Sequence, residues 1–509
     1  MQFSNMTRNS PEHSARAREI ALELTSWPSV TGTPEEAMFS ARLVGYLNAV
    51  GFENVWKEPI AGDALGRSNV FALKRGKSSR TIVLAGHFDT VPFDDYGDLK
   101  PLALQPIALR EAMIAKLEIT GENALALADL RSGEFLPGRG LLDMKSGIAA
   151  GIAAMEFYGG EHSMLLVATP DEEDRSAGMR AAAPLTTKIA QEKRLDIELV
   201  INLDAISDQG DGSTGRVAAM GSIGKQLVTA FVVGKEAHAC YPRDGANSAY
   251  IAAELVAEFE LAPELAETSD GEVAAPPTAL HSKDLKAGYN VTTPAQSFVY
   301  WNTLQHRRSS AEVLEISMML ARRAVARAEA KLRRVIPVMT YADLAARVPN
   351  AKILARAAEL AMCSNFDLPE RSKLLTQFVW QLSGLPGPAV VFGFGSIPYS
   401  AVSLRDANLG GLIAATVKLL GLGTINYFPG ISDMSFVGET PGDFAAVAGN
   451  TAIWGTSFTL AEPAGYPCIN IGPWGRDYHH WLERVHAPYA FETLPNVLLA
   501  VIDAVFKRG

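Results

Sequence analysis

Short apolar runs alternate with segments of helical periodicity along the first part of the chain. Residues 81–85 and 164–169 are continuous apolar runs, and 197–203 is a third, largely apolar one. Runs of this length are typical of strands buried on both faces of a parallel sheet. Residues 12–25 and 148–158 carry apolar side chains at helical spacing. The alternation predicts an α/β fold with a mostly parallel sheet flanked by helices.

One helix boundary is marked especially well. Thr33 is a good N-cap, Pro34 suits the first helical position, and Glu36 stands three residues after the cap. The apolar pattern continues to about Val50 and stops at Gly51, a common helix terminator. We therefore expect a helix from residue 34 to about residue 50.

The pattern changes near residue 219. An alternating strand at 227–233, a helix at 248–260, a strand that ends at Trp301 and a long helix at 310–332 follow one another. This order is typical of an inserted α+β domain. From about residue 350 the helix–strand alternation returns. We predict a discontinuous catalytic domain, 1–218 and 350–509, with a smaller α+β lid domain at 219–349.

A long segment, residues 94–137, separates the strand at 81–85 from the next recognisable motif. Long connections in compact domains are often functional or mobile. We expect an insertion near the mouth of the site.

Composition narrows the class of protein. A chain of 509 residues suggests about three units of ~150 residues. A hydrophobic content of 48% with 20% charged residues describes a soluble globular protein, and a net charge of −10 argues against nucleic acid or an anionic membrane as partner. The three scattered cysteines suit a reducing compartment. The N-terminus lacks a signal-peptide pattern, and no apolar run reaches the ~18 residues of a membrane span. We expect a cytoplasmic protein.

The end of the first apolar run carries His87 and Asp89. Alternate residues of a strand share a face, so the two side chains are expected to meet. A metal-ligating imidazole backed by a carboxylate has this arrangement. A plain hydrogen-bonded pair is the alternative.

Further acidic residues follow the other runs. Asp143 precedes the helix at 148–158, where it is either an N-cap or a metal ligand. Residues 171–174 are four consecutive carboxylates, which repel one another unless cations neutralise them or water solvates the turn. Asp204 ends the third run. Because open α/β sheets bind ligands at the carboxyl ends of their strands, these groups are candidates for one site.

Five motifs stand in a fixed order: Gly86–Pro92, Gly138–Gly147, Asp171-Glu172-Glu173, Asn202-Leu203-Asp204, and Gly472 through His479 to Val485. Together they resemble the co-catalytic di-zinc exopeptidase and amidohydrolase family that includes carboxypeptidase G, aminoacylase, peptidase T and succinyl-diaminopimelate desuccinylase. The run Pro429–Phe436 and the long insertion are similar to the arginine-utilisation (RocB-like) branch. The resemblance covers both ends of the chain, and the middle block matches the smaller domain of the family.

The resemblance implies a pair of zinc ions, with Co²⁺ or Mn²⁺ as alternatives. Asp143 would bridge the two ions, His87 and Asp204 would complete one site, and Glu173 and His479 would complete the other. Imidazole and carboxylate ligands suit zinc. His480 is the alternative to His479.

The resemblance also implies catalytic roles. Glu172 would be the general base, Asp89 would orient His87, and His238 of the lid domain would stabilise the oxyanion, often in the site of a partner subunit of a homodimer. Glu172 and Glu173 could exchange roles.

Two features depart from the family pattern. Asn302 stands where an arginine usually holds the substrate carboxylate. The interval from His87 to Asp143 is 56 residues, which is longer than usual.

The expected activity is metal-dependent hydrolysis of an amide or peptide bond in a small substrate. Such a substrate is a dipeptide or an N-acyl amino acid, and arginine-related compounds are among the candidates. The alternatives are a non-catalytic relative that binds a metal or ligand, and a hydrolase of another bond such as an ester.

Overall fold

The computed structural model describes residues 11–363, 365–441 and 444–508. Two compact units make up the chain. The first contains the described residues up to Ser222, those of Val402–Thr440 and those from Pro463 onward. The second contains the described residues of Ile223–Ala401 and Pro441–Glu462.

The strands of the described ranges follow in chain order. They are β1 Val55–Pro59, β2 Ser68–Lys74, β3 Arg80–His87, β4 Phe135–Pro137, β5 Ser163–Thr169, β6 Asp196–Asn202, β7 Ile206–Ser207, β8 Val217–Ala219, β9 Gly221–Ser222, β10 Gly224–Val233, β11 Thr268–Ser269, β12 Glu272–Val273, β13 Thr278–Asp284, β14 Gln296–Gln305, β15 Val338–Thr340, β16 Ala389–Phe394, β17 Val402–Ser403, β18 Gly423–Ile425, β19 Cys468–Asn470, β20 Trp474–Arg476 and β21 Arg484–His486.

The helices are α1 Pro11–Thr25, α2 Pro34–Ala49, α3 Pro106–Thr120, α4 Ala124–Ser132, α5 Ser146–Phe157, α6 Ala177–Lys193, α7 Ser248–Phe259, α8 Ser310–Leu332, α9 Tyr341–Ala345, α10 Asn350–Ala361, α11 Leu368–Ser383, α12 Ala407–Leu419, α13 Met434–Val437, α14 Ala445–Asn450 and α15 Leu494–Lys507. Shorter helical turns cover Asp94–Leu102, Leu141–Lys145, Pro242–Asp244 and Pro488–Thr493.

The first unit is built on an eight-stranded sheet in the order β1-β2-β5-β3-β6-β19-β8-β18. Its centre, β5-β3-β6-β19, is parallel, whereas β1 and β2 are antiparallel additions. All seven residues of β5 are buried, as expected for a strand covered on both faces. The predicted α/β class is confirmed.

Helix α2 illustrates how local sequence sets an element. The Thr33 side chain accepts a hydrogen bond from the Glu36 amide at 3.4 Å, and Pro34 occupies the first turn. Phe39, Leu43 and Leu47 recur on one face of the helix and are buried against the core. The predicted start and end of this helix agree with the structure within one residue.

A C-terminal helix forms part of the same core. Pro488–Lys507 is the one segment of the described ranges that is long and apolar enough to cross a membrane by length and composition. Val497, Leu498 and Val501 are nevertheless fully buried in the first unit. The apolar composition is therefore explained by a core helix.

The segment 94–137 folds as a small helical insertion. It contains the turn Asp94–Leu102, helices α3 and α4, and strand β4. Its buried side chains, Tyr96, Ala103, Leu109, Met113, Leu117, Ala126 and Leu130, form a separate apolar cluster that also includes Leu482.

The second unit has a five-stranded sheet in the order β13-β14-β10-β16-β15. β10 pairs with β14 on one side and with β16 on the other, both antiparallel. Apolar residues of α7 and α8 pack with the sheet in one core. The predicted α+β character of this block agrees with the structure.

The limits of the second unit differ from the expected lid at 219–349. The described residues of 350–401 and 441–462, expected in the catalytic domain, belong to the second unit. The reason is strand pairing, since β16 lies beside β10 in the five-stranded sheet. An isolated apolar strand does not reveal which sheet it will join.

Candidate active site

Three parallel strands of the first unit bring their carboxyl ends together. His87, the last residue of β3, lies opposite Thr169, the last residue of β5. On the other side of β3, Ala85 lies opposite Asn202, the last residue of β6. The acidic run after β5 and Asp204 after β6 therefore begin at the same edge as His87, where open α/β sheets bind ligands.

Asp143 lies at the centre of the cluster. The His87 Nε2 atom is 3.1 Å from Asp143 Oδ1, and the His479 Nε2 atom is 3.1 Å from Asp143 Oδ2. His479 Nε2 is also 3.0 Å from Glu173 Oε1, and His87 Nε2 is 3.9 Å from Asp204 Oδ1. The two oxygens of one carboxylate thus face two different imidazoles.

The cluster divides into two groups of donors that share Asp143. His87, Asp143 and Asp204 form one group, and Asp143, Glu173 and His479 form the other. Within each group the candidate ligand atoms lie within 4.8 Å of one another. Imidazole nitrogen and carboxylate oxygen are donors that suit zinc and related divalent ions. The residues present therefore fit a pair of metal ions.

Glu172 lies beside this centre, with Oε2 4.0 Å from His87 Nε2. Burial raises the pKa of the Glu172 carboxyl well above its usual range, and the charges of Asp433, Asp204 and Glu173 add to the rise. Burial likewise raises the pKa of Asp204 and of Glu173, each with a contribution from Asp143. The acidic groups are thus crowded in a buried place where positive charge would stabilise them.

For the two histidines, burial and the neighbouring carboxylates shift the pKa in opposite directions. Burial by itself lowers the pKa of His479, but hydrogen bonds with Asp143 and Glu173 outweigh it and raise that pKa to about 10. Burial is likewise outweighed at His87, whose pKa is raised by Asp143 and Asp89. Both shifts favour the imidazolium form, whose positive charge faces the carboxylates.

Asp89 contacts more than His87. Its Oδ1 atom accepts a hydrogen bond from the Glu172 amide at 3.1 Å, and its Oδ2 atom accepts from the Glu173 amide at 3.2 Å and the Thr31 hydroxyl at 2.8 Å. The His87 Nδ1 atom lies 3.1 Å from the Asp89 backbone oxygen and 3.5 Å from Oδ1. One carboxylate thus holds the backbone of the acidic run beneath the imidazole.

A buried arginine that the sequence analysis did not identify anchors the same run. The Arg67 guanidinium forms an ion pair with Asp171, lies 3.2 Å from Glu36 Oε1 and lies 2.7 Å from Asp63 Oδ1. Arg67 is 8% exposed. Asp63 is close to Arg67 in the chain, but Glu36 and Asp171 are 31 and 104 residues away from it. Short-range sequence patterns therefore do not reveal the cluster.

Asp433 is a second residue whose place the sequence analysis did not predict. It belongs to the run Pro429–Phe436, and its Oδ2 atom accepts a hydrogen bond from the Thr169 hydroxyl at 3.1 Å. Burial raises the pKa of Asp433 to about 7. The similarity of this run to the arginine-utilisation branch was the signal that could have directed attention to it.

The structure distinguishes the two adjacent histidines. His480 Nδ1 accepts a hydrogen bond from the Leu482 amide at 3.3 Å and so closes its own turn. His479 instead reaches the carboxylates of Asp143 and Glu173.

The segment before α5 is shaped by Glu483 and by small residues. Glu483 Oε1 accepts hydrogen bonds from the Gly140 amide at 2.9 Å and the Leu142 amide at 3.3 Å. A Cβ atom on Gly147 would lie 2.1 Å from the Leu203 oxygen, so glycine is required there. Asp143 does not cap α5, which begins at Ser146 without a side-chain cap. The N-cap alternative for Asp143 is therefore not observed.

His238 lies in the second unit. It is exposed, its Nδ1 atom accepts a hydrogen bond from the Cys240 amide at 3.1 Å, and its backbone pairs with Thr292.

Comparisons with known proteins find relatives in sequence and in fold. The chain is similar to YqjN of Bacillus subtilis (29% identity over 96% of each chain) and to RocB of the same organism (27% identity, 98% of this chain and 96% of that one). A succinyl-diaminopimelate desuccinylase of Leptothrix cholodnii is 29% identical over 58% of this chain and 70% of its own.

Solved structures share the fold. A tripeptidase of Staphylococcus aureus matches with a TM-score of 0.54 at 16% identity, over 97% of this chain and 99% of its own. Human carnosine dipeptidase 1 matches with a TM-score of 0.53 at 10% identity, over 97% of this chain and 98% of its own. Residues 83–452 match the sequence model of peptidase family M20/M25/M40. The chain therefore belongs to peptidase family M20/M25/M40.

Proposed function

We propose that this protein is a zinc-dependent hydrolase that cleaves an amide or peptide bond in a small substrate. One observation carries the proposal: two donor groups, each with an imidazole and carboxylates, share Asp143. Membership of a family of metallopeptidases and amidohydrolases supports it.

Five side chains would hold the ions. His87 and Asp204 would bind one ion, Glu173 and His479 the other, and Asp143 both. Two Zn²⁺ ions bound there, with Co²⁺ or Mn²⁺ as alternatives, would supply Lewis acidity to the reaction.

Glu172 is proposed as the general base. Its carboxylate lies at the edge of the donor cluster, and its raised pKa suits a group that takes a proton from the attacking water and returns it to the leaving nitrogen. The Asp89 carboxylate keeps Glu172 and Glu173 in place through their amides.

A substrate screen with a chelator tests the proposal. We expect hydrolysis of dipeptides or N-acyl amino acids, including those that contain arginine. Esters of matched structure show whether the enzyme prefers an amide bond to an ester bond. Free and amidated C-termini should be compared because Asn302 replaces the expected arginine. We expect a chelator to abolish turnover and added Zn²⁺ or Co²⁺ to restore it. Turnover that persists in fully metal-depleted protein would contradict the proposal.

His238 is proposed to stabilise the oxyanion in the site of a partner subunit. Its loop is exposed and carries Tyr241, which is 66% exposed, and the Ala239 amide donates to the oxygen of Val291, which is 47% exposed. Such a surface suits contact with a second copy of the chain. We expect light scattering at assay concentration to give a dimer and His238→Ala to lower kcat with metal content unchanged. A fully active monomer would contradict this role.

A further inference from the structure

The insertion at 94–137 is packed on the segment that follows His479. Leu482 is buried in the apolar cluster of the insertion, and Trp481 packs against the same cluster. The Lys116 ammonium lies 5.0 Å from the centre of the Trp481 ring. The insertion therefore shares its small core with residues two and three positions beyond a proposed metal ligand.

A chain of ionic contacts runs from the insertion to the His479 turn. Asp129 of α4 is 9% exposed, and its Oδ2 atom accepts a hydrogen bond from Arg484 Nε at 2.9 Å. The same guanidinium donates from Nη1 to Asp477 Oδ2 at 2.5 Å. Asp129 Oδ2 also lies 3.1 Å from Arg476 Nε. Asp129 is thus the shared ion-pair partner of two arginines that flank the turn.

The turn itself needs support from outside. Asp477 and His479 have φ values of 55° and 61°, a left-handed conformation that residues other than glycine rarely adopt. Such residues keep this conformation where surrounding contacts hold them. The Asp477 side chain accepts hydrogen bonds from Arg484 and from Gln209 Nε2, the latter at 2.6 Å to Oδ1.

We infer that the insertion is a positioning element for His479, acting through Asp129, Arg484 and Asp477. The inference rests on the proposed function, in which His479 is a metal ligand of one site only. Without the Asp129 carboxylate, the fully buried Arg484 loses its anchor on α4 and no longer holds Asp477 in one place. The donor group of Asp143, Glu173 and His479 should then weaken, whereas that of His87, Asp143 and Asp204 should not.

Zn²⁺ titration into metal-free protein by calorimetry tests this inference. We expect wild-type protein to bind two ions. Asp129→Asn should bind one ion as wild type does and the other about tenfold or more weakly, the size found when groups that orient metal ligands are removed. Asp477→Asn, which removes the carboxylate that Arg484 contacts in the turn, should also weaken the binding of one ion only. Its side chain is 22% exposed, so it serves if Asp129→Asn fails to fold by circular dichroism.

Glu118→Gln is the matched control. Glu118 lies on the same insertion, in an exposed ion pair with Arg131 at 2.6 Å, and this variant should bind both ions as wild type does. Unchanged affinity for both ions in folded Asp129→Asn and Asp477→Asn would overturn the inference and leave the proposed function standing. Wild-type protein that takes up no Zn²⁺ would overturn both.

Discussion

Glu172→Gln is expected to lower kcat by about 10²- to 10⁴-fold, the usual contribution of a general base. Glutamine keeps the size of the side chain and the backbone amide that donates to Asp89. It loses the ability to take up a proton from water. Because Glu172 belongs to neither donor group, two metal ions per chain should remain bound. Steady-state kinetics together with metal analysis of the same preparation measures both effects.

Asp174→Asn is the control for this variant. Asp174 belongs to the same acidic run, but its side chain is 58% exposed and pairs with Arg175. We expect its kcat to stay within a few-fold of wild type. Glu172→Gln protein that turns over at the wild-type rate would remove Glu172 from the mechanism, whatever its metal content.

Arg67→Met is expected to give the largest loss of stability, about 3–5 kcal/mol, because it removes one partner of a buried ion network. Glu36, Asp63 and Asp171 would keep their carboxylates in a buried place without the guanidinium that they share. Arg131→Met, which breaks an exposed pair with Glu118, should cost about 0–1 kcal/mol. Urea unfolding of both variants beside wild type gives the comparison.

The loss at Arg67 should depend on pH. Burial and the charge of Asp89 already raise the pKa of Glu36 to about 7 against the opposing effect of Arg67, and burial raises the pKa of Asp171. Removing Arg67 raises both pKa values further above those of the unfolded chain, so the variant loses stability as pH rises and regains it as the carboxyls protonate. The difference between wild type and variant should therefore be smaller at pH 5 than at pH 8. A difference that grows on acidification would contradict this account.

Local periodicity and turn chemistry were enough for several of the longer elements. The limits of α8, Ser310–Leu332, coincide with the predicted helix, and β5 agrees within one residue. Both depend on short-range features, such as the Ser309–Glu312 capping box that starts α8. β13, in contrast, lies between the predicted helix at 248–260 and the predicted strand that ends at Trp301, where the sequence analysis names no element. It is stabilised by pairing with β14.

The residue types of the site were also readable from the sequence. His87, the acidic run and Asp204 each follow an apolar strand directly, so a parallel sheet must bring them to one edge. The relation between Asp143 and His479, separated by 336 residues, came only from the motif resemblance. No local pattern indicates that separation.

The sequence by itself determined several of the longer strands and helices, the α/β class and the chemical types gathered at the sheet edge, because these depend on side-chain period and on neighbours within a few residues. The tertiary structure alone decided that both oxygens of Asp143 face imidazoles, that Asp89 holds two backbone amides, and that Arg67 neutralises Asp171. It also decided that β16 joins the second unit and that the insertion packs on the His479 segment. These are contacts between residues far apart in the chain, and they are selected by burial and charge pairing in the folded state.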